Sequence, residues 1–189
     1  TFFSIPKPFV EHTGIIQANA IESWMKVKNS KVILFGKEEG IENYLERDNL
    51  TIHSDIAINS HGTPMVSDAF LKAKRLSNQK NLCYLNADIL IDNSIIDCLK
   101  ILQESSLTEW FLSARRVDCD IKETLKKDWL KTLIIDFKKT GNLHGPAGMD
   151  LFLFPRDLEI TLPPFAVGRP GWDSWLVYHV RSKRIPFID

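Results

Sequence analysis

The run Lys31-Val32-Ile33-Leu34-Phe35-Gly36 holds four consecutive apolar residues closed by a glycine. A strand with one wet face alternates in polarity. A strand with no polar position must be covered on both faces, the pattern of a parallel strand flanked by helices. The neighbouring segments supply those helices. Ile15 to Lys28 carries apolar residues at 16, 20, 21, 24, 25 and 27, a helical spacing. Before it, Phe2-Phe3-Ser4-Ile5 is a short β-run stopped by Pro6 and Pro8, an edge-of-strand signature. A short helix through Ile41 and Leu45 leads to a third strand, Leu50 to Ile58. Thr63-Pro64, a hydroxyl cap followed by a first-turn proline, starts a helix with the buried stripe Val66, Ala69, Phe70, Ala73 and Leu76.

The alternation continues through a strand at Leu82–Ile91 and a helix presenting Ile95, Ile96, Leu99 and Leu102. A strand from Glu109 to Val117 precedes the clearest amphipathic pattern, Leu125, Trp129, Leu130, Leu133, Ile134 and Phe137, ended by Gly141. Strands and helices in alternation predict an α/β sandwich with a central, mostly parallel sheet. The last third breaks the rhythm: a turn at Gly145 to Gly148, a strand Met149–Phe154, the loop Pro163 to Gly171, a helix from Trp172 and a final strand Ile185–Ile188.

Length and composition bound the function classes. A chain of 189 residues predicts one domain, 1–189, and 44% hydrophobic residues with 11 Phe and 5 Trp provide for a sizeable core. Lys+Arg and Asp+Glu are both 24, so no general electrostatic attraction to nucleic acid is expected. No apolar run approaches the length of a membrane span. Cys83, Cys98 and Cys119 form no CxxC and are expected to be reduced residues of a cytoplasmic chain. A sequence opening on Thr1 rather than Met is expected to be a processed product or a piece of a longer chain with other domains.

The chemistry centres on Cys83-Tyr84-Leu85-Asn86-Ala87-Asp88-Ile89-Leu90-Ile91, read as a buried strand that runs out of apolar residues at Asn86 and resumes after Asp88. Burying a carboxylate between two apolar runs costs several kcal/mol unless a cation or hydrogen bonds satisfy it. In an extended chain Asn86 and Asp88 point the same way. Hard oxygens at the carboxyl end of a central strand lie where open α/β sheets bind ligands, which predicts a divalent-cation site holding a phosphate-bearing ligand. The alternative is a pair of residues that cap the next turn and helix. Ser4–Pro8, Asp55–Asn59, Asn86–Asp88 and Arg115–Asp118 all fall at strand ends, and in a parallel sheet they converge on one edge. Neither GxGxxG nor GxxxxGK[ST] occurs, so a nucleotide here needs a metal ion and side chains to hold its phosphates.

The strand–helix order leading into YLNADIL is similar to the GT-A glycosyltransferase fold, whose DxD motif sits in that place. SARRVDCDI, GPAGMDLFLFPRD and PPFAVGRPGWDSWLVY resemble a group of GT-A-like nucleotide-diphospho-sugar transferases of bacteria, plants and large viruses, and together these segments reach across nearly the whole chain. The resemblance implies a Rossmann-like α/β/α sandwich, a Mn²⁺ or Mg²⁺ cofactor, a nucleotide-sugar donor (UDP-linked) and a hydroxyl acceptor on a glycan or other molecule. It also implies that Asp88 binds the metal. Asn86 stands where the motif has its first acidic residue, and with Ala87 is expected to contact the ribose or sugar. Family members continue past the segment matching IPFID with a tail whose histidine often completes the metal shell, whereas the sequence read here stops at Asp189.

The resemblance further implies that Asp173, after Gly171-Trp172, is the general base of an inverting transfer. An aspartate in a first helical turn also complements the macrodipole with no catalysis. Asp150 is expected to orient sugar hydroxyls or to be a turn residue ahead of its strand. Arg115, Arg116 and Arg169 are candidates for bidentate phosphate contacts, or are surface guanidinium groups paired with carboxylates. Ser4, Pro6 and Lys7 follow the first strand, where the family cradles base and ribose; Asp55 either does the same or caps its strand. Trp172 is a candidate for stacking on a sugar ring, while Trp175 shares a helical face with apolar residues and is expected in the core. His61 and His144 sit beside glycines in loops, from which either could reach into a site, although most such histidines are surface residues. The readings set against a glycosyltransferase are a sugar-nucleotide pyrophosphorylase, which opens with a Gly-rich basic loop, a non-catalytic binding module, and a phosphohydrolase with clustered carboxylates.

Overall fold

The apolar run Val32–Phe35 is an inner strand, and its neighbours assemble around it. A computed structural model describes residues 1–44, 47–125 and 141–189. The strands are β1 (Phe2–Ser4), β2 (Val32–Phe35), β3 (Leu50–His53), β4 (Asn81–Leu85), β5 (Phe111–Arg115), β6 (Val117–Asp118), β7 (Asn142–Leu143), β8 (Met149–Pro155) and β9 (Phe187–Ile188). The helices are α1 (Glu11–Met25), α2 (Val66–Leu76), α3 (Ser94–Glu104) and α4 (Trp172–Ser182), with a single 3₁₀ turn at Ile41–Tyr44.

Seven strands form one sheet in the order β3-β2-β1-β4-β8-β5-β9, and β6 and β7 pair as a separate ribbon. β1 to β4 run parallel, β9 runs parallel to β5, and β8 lies antiparallel to both β4 and β5. Strand alternation sends Phe3, Tyr84, Phe111, Phe152 and Phe154 to one face, where Val66, Ala69, Phe70 and Ala73 of α2 and Trp172, Leu176 and Val180 of α4 cover them. Phe2, Val32, Leu34, Cys83, Leu85, Leu151 and Leu153 go to the other face, under Ala20, Ile21 and Trp24 of α1 and Ile95 and Leu102 of α3. The result is a three-layer α/β/α sandwich. Among the described residues no helix is long and apolar enough to cross a membrane, and all three cysteines are unpaired.

Several expectations are corrected by tertiary context. β1 is an inner strand paired on both sides; Pro6 and Pro8 end it without making it an edge, because they follow the last paired residue. β3 stops at His53, and Ile58 forms only an isolated bridge with Pro64. Thr63-Pro64 therefore does not open a helix: α2 begins at Val66 behind an extended Met65. Leu76, at the end of the α2 stripe, is 46% exposed. β4 ends at Leu85 and does not resume after Asp88, since residues 87 and 88 form a turn closed by the Ile89 N–H to the Asn86 carbonyl, 3.1 Å. The strand expected over Glu109–Val117 divides at Arg116, after a register shift between Ala114 and Arg115. Leu45 and, from residue 126 to 140, the helix expected up to Gly141 lie outside the described residues.

Trp172 lies where these layers meet. Its ring packs edge-on against Tyr84 at 5.1 Å, Phe152 at 5.5 Å and Phe70 at 6.4 Å between centroids. Only 8% of it is exposed. Truncating a buried ring of this size removes its transfer free energy and leaves a cavity. Trp172→Ala is expected to lower the unfolding free energy by about 3–5 kcal/mol in a urea titration.

Candidate functional site

Because β1 to β5 run the same way, their carboxyl ends leave the sheet at one edge, as the sequence predicts. β8 runs the other way, so its first residues start at that edge. The pairing of Leu85 with Leu151 then sets Asp150 beside Asn86. The Asn86 N–H donates to the Asp150 carbonyl at 3.0 Å, and Asn86 Nδ2 donates to Asp150 Oδ1 at 2.7 Å. Arg116 donates from Nη1 to Asp150 Oδ2 and from Nε to Asp118 Oδ1 at 2.7 Å. His144 closes the group, with Nδ1 2.7 Å from Asp118 Oδ2 and 3.2 Å from Arg116 Nη2.

The local backbone explains this convergence. β6 pairs with β7 through Val117–Leu143 and Asp118–Asn142, and the His144 N–H donates to the Arg116 carbonyl at 2.9 Å. A Cβ at Gly148 would overlap the imidazole of His144, so glycine is needed for the ring to lie where it does. Asp118 is held below its ordinary carboxylate range by the hydrogen bond from His144 and then by that from Arg116. An ionised carboxylate only accepts, so the His144 proton on this side sits on Nδ1.

These residues rim a cavity of about 740 Å³ whose lining includes Asn86, Asp88, Arg115, Arg116, Asp118 and Asp150, with Leu151 and Leu153 in its apolar wall. Asp88 is exposed, and no described residue hydrogen-bonds or ion-pairs with its carboxylate. Ala87 is 7% exposed and its methyl belongs to the core, which leaves only its main chain for a ligand. Among the described residues no three His, Cys, Asp or Glu side chains cluster to hold a metal. A cation here would have the Asp88 carboxylate as its free protein ligand and would keep most of its water.

Other expected site residues are placed differently. Ser4 is fully buried, and its hydroxyl donates to the Leu85 carbonyl at 2.7 Å; it caps the end of β4 and is closed to a ligand. Pro6 is buried and Lys7 exposed. Lys7 is held by its main chain, its N–H donating to Gln17 Oε1 at 2.7 Å and its carbonyl accepting from Gln17 Nε2 at 2.9 Å. Asp55 pairs with Lys72 at 2.9 Å, which also reaches Asp68 at 3.2 Å. Arg169 is exposed in the loop before α4. Trp172, expected as a stacking platform, is instead the buried core residue described above, because its helix turns that face onto Tyr84 and Phe152. Asp173 is half-buried in the first turn of α4, and its Oδ1 accepts from the Ser174 N–H at 2.7 Å.

Asn86, Asp88, Arg115 and Asp150 are thus brought to one cavity, whereas Ser4, Pro6, Lys7, Asp55, Arg169, Trp172 and Asp173 are not among its lining residues. Sequence reasoning missed the linkage of Arg116 through Asp118 to His144. The available signal was the two-residue spacing of Arg116 and Asp118, which in extended chain shares one side. Asp118 has its folded pKa below the ordinary 3.8, so the stabilisation it lends is complete above that value and lost as the pH falls through the folded one. Asp118→Asn is expected to lower the melting temperature at neutral pH, by an amount that shrinks as the pH falls below the ordinary carboxylate range, as thermal melts across a pH series would register.

No protein-family model and no curated protein matches the chain. Solved structures do. TarS 1-349 of S. aureus aligns with 93% of this chain and 54% of its own length at a TM-score of 0.53 and 13% identity. A CMP:2-keto-3-deoxy-manno-octonic acid synthetase complexed with CTP aligns with 99% of this chain and 87% of its own at a TM-score of 0.48 and 9% identity. The galactosyltransferase LgtC, in complex with donor and acceptor sugar analogues, aligns with 82% of this chain and 58% of its own at 0.38 and 14%. The chain spans about half the length of the TarS structure. The likeness to TarS shows a GT-A-like fold.

Proposed function

We propose that the protein is a metal-dependent glycosyltransferase that moves a sugar from a nucleotide-diphosphate donor, UDP-linked, to a hydroxyl of a glycan or other acceptor. The observation that carries this reading is the unpartnered Asp88 carboxylate at the carboxyl edge of the sheet, next to the hydrogen-bonded Asn86–Asp150 pair. TarS, which has the same fold, is solved with UDP-GlcNAc and with UDP.

Glycosyl transfer leaves a diphosphate whose developing charge must be stabilised in the transition state. A Mn²⁺ or Mg²⁺ ion on Asp88 would supply that stabilisation as a Lewis acid. Arg115, exposed at the rim of the cavity, can add a bidentate contact to phosphate oxygens. Asp150 has both carboxylate oxygens engaged by Asn86 and Arg116, so its part is to orient. Asp173 keeps Oδ2 free while Oδ1 holds the helix start, and it is the carboxylate we assign as base, taking the proton of the acceptor hydroxyl as the anomeric carbon inverts. Its helix opens beside Tyr84 and Phe152, which directly precede Leu85 and follow Leu151 at the same sheet edge.

The reading of a sugar-nucleotide pyrophosphorylase calls for a flexible glycine-rich loop after the first strand. Here that loop is Ile5-Pro6-Lys7-Pro8, with no glycine and its main chain fixed to Gln17. Calorimetry with UDP, with and without Mn²⁺, tests the proposal directly. Binding that ignores the metal would sink it. Asp88→Ala is expected to weaken metal-dependent UDP binding by roughly tenfold or more, the loss of one charged ligand. Asp173→Asn is expected to cut transfer by about 10²–10⁴ with UDP affinity nearly intact, and a variant that still turns over removes Asp173 as base.

A further inference from the structure

Asn86 occupies a position where the resemblance leads one to expect an acid, and its surroundings give the asparagine a positive role. The Asp150 carboxylate is 13% exposed at its side chain and lies at hydrogen-bond distance from the residue-86 side chain. A second ionised carboxylate at that distance would be repelled in a poorly solvated setting. An asparagine instead donates. Since a carboxylate can only accept, the amide nitrogen must face Asp150, and Oδ1 is turned away from it. No described residue donates a hydrogen bond to that oxygen.

Asp150 in turn cannot rotate freely, because its other oxygen is held by Arg116. Arg116 is fixed by Asp118 through Nε and bordered by His144 at 3.2 Å. The guanidinium fork thus joins two carboxylates, a geometry that a lysine cannot reproduce. We propose that Asp150 and Arg116 are positioning residues that hold Asn86 with its amide nitrogen inward, so that its side-chain carbonyl oxygen is the acceptor offered to a donor hydroxyl in the cavity that Asp88 also lines. This inference rests on the reading of the cavity as a nucleotide-sugar site.

The test uses the purified chain, UDP and UDP-GlcNAc as probes with Mn²⁺ at neutral pH, calorimetry for affinity and thermal melts for folding. Asn86→Asp is expected to weaken UDP-GlcNAc binding by about tenfold or more, since it sets like charges side by side. The exchanged pair Asn86→Asp with Asp150→Asn restores one amide facing one carboxylate and is expected to recover affinity to within about threefold of the unmodified protein. A residue that mattered only for folding would show no such recovery. Arg116→Lys keeps the charge but not the fork; it is expected to lose roughly fivefold in affinity with little change in melting temperature, and it carries the test if Asn86→Asp does not fold. An unmodified protein that binds neither probe overturns the donor reading and this inference with it. Binding by the unmodified protein together with equal binding by Asn86→Asp or Arg116→Lys overturns the inference alone, as does a folded exchanged pair no better than Asn86→Asp.

Discussion

A strand covered on both faces has nowhere to put a polar side chain until it leaves the sheet, because each unsatisfied buried group costs more than its neighbours can return. β4 obeys this constraint from Leu82 to Leu85, all nearly inaccessible to solvent, and its first polar side chain after that is Asn86. Ser4 at the end of β1 fits the rule, since its buried hydroxyl is satisfied by the Leu85 carbonyl, whereas the buried Ser113 hydroxyl in β5 departs from it, with no hydrogen-bond partner among the described residues. Functional atoms collect at the edge because the interior excludes them. The antiparallel insertion of β8 between β4 and β5 adds a second supply: a strand that begins, rather than ends, at that edge contributes Asp150.

The electrostatics of the edge follow from who is paired with whom. Arg116, Asp118, Asp150 and His144 largely satisfy one another, and the hydrogen bonds that Arg116 donates to the Asp118 and Asp150 carboxylates raise its pKa above its ordinary value. Asp55 is likewise engaged by Lys72, which shifts its pKa downward. Asp88, by contrast, has no hydrogen-bond or ion-pair partner among the described residues. In a chain with equal numbers of acidic and basic residues, the informative charges are those the fold leaves for something else.

Much of the architecture was legible in the sequence because burial writes itself as apolar runs and helical stripes. Val32–Phe35 and the α1 spacing required covered strands and covering helices, and these formed. What could not be read was relation. The antiparallel sense of β8 follows from packing across the sheet, which neighbouring residues do not encode, so the Asn86–Asp150 contact was not foreseeable. Asn86 and Asp88 would point the same way in extended chain, whereas a turn at residues 87 and 88 separates them. Trp172 looked available for stacking since a loop precedes it, and only the docking of α4 against Phe70, Tyr84 and Phe152 makes it a core residue. Gln17 carried no signal beyond being a polar residue inside an apolar helical stretch.

That glutamine has a consequence for how the edge meets a ligand. Its side chain is 2% exposed and reproduces, for Lys7, the pair of hydrogen bonds that a neighbouring strand would have made. Lys7 is therefore stitched to α1 although no described residue gives it a backbone partner, and prolines on either side of it narrow its remaining conformations. Recognition normally loses free energy to the ordering of loops. Here much of that ordering is already present in the folded chain, so a partner arriving at this corner meets a surface set in advance, and any shift of α1 carries the corner with it.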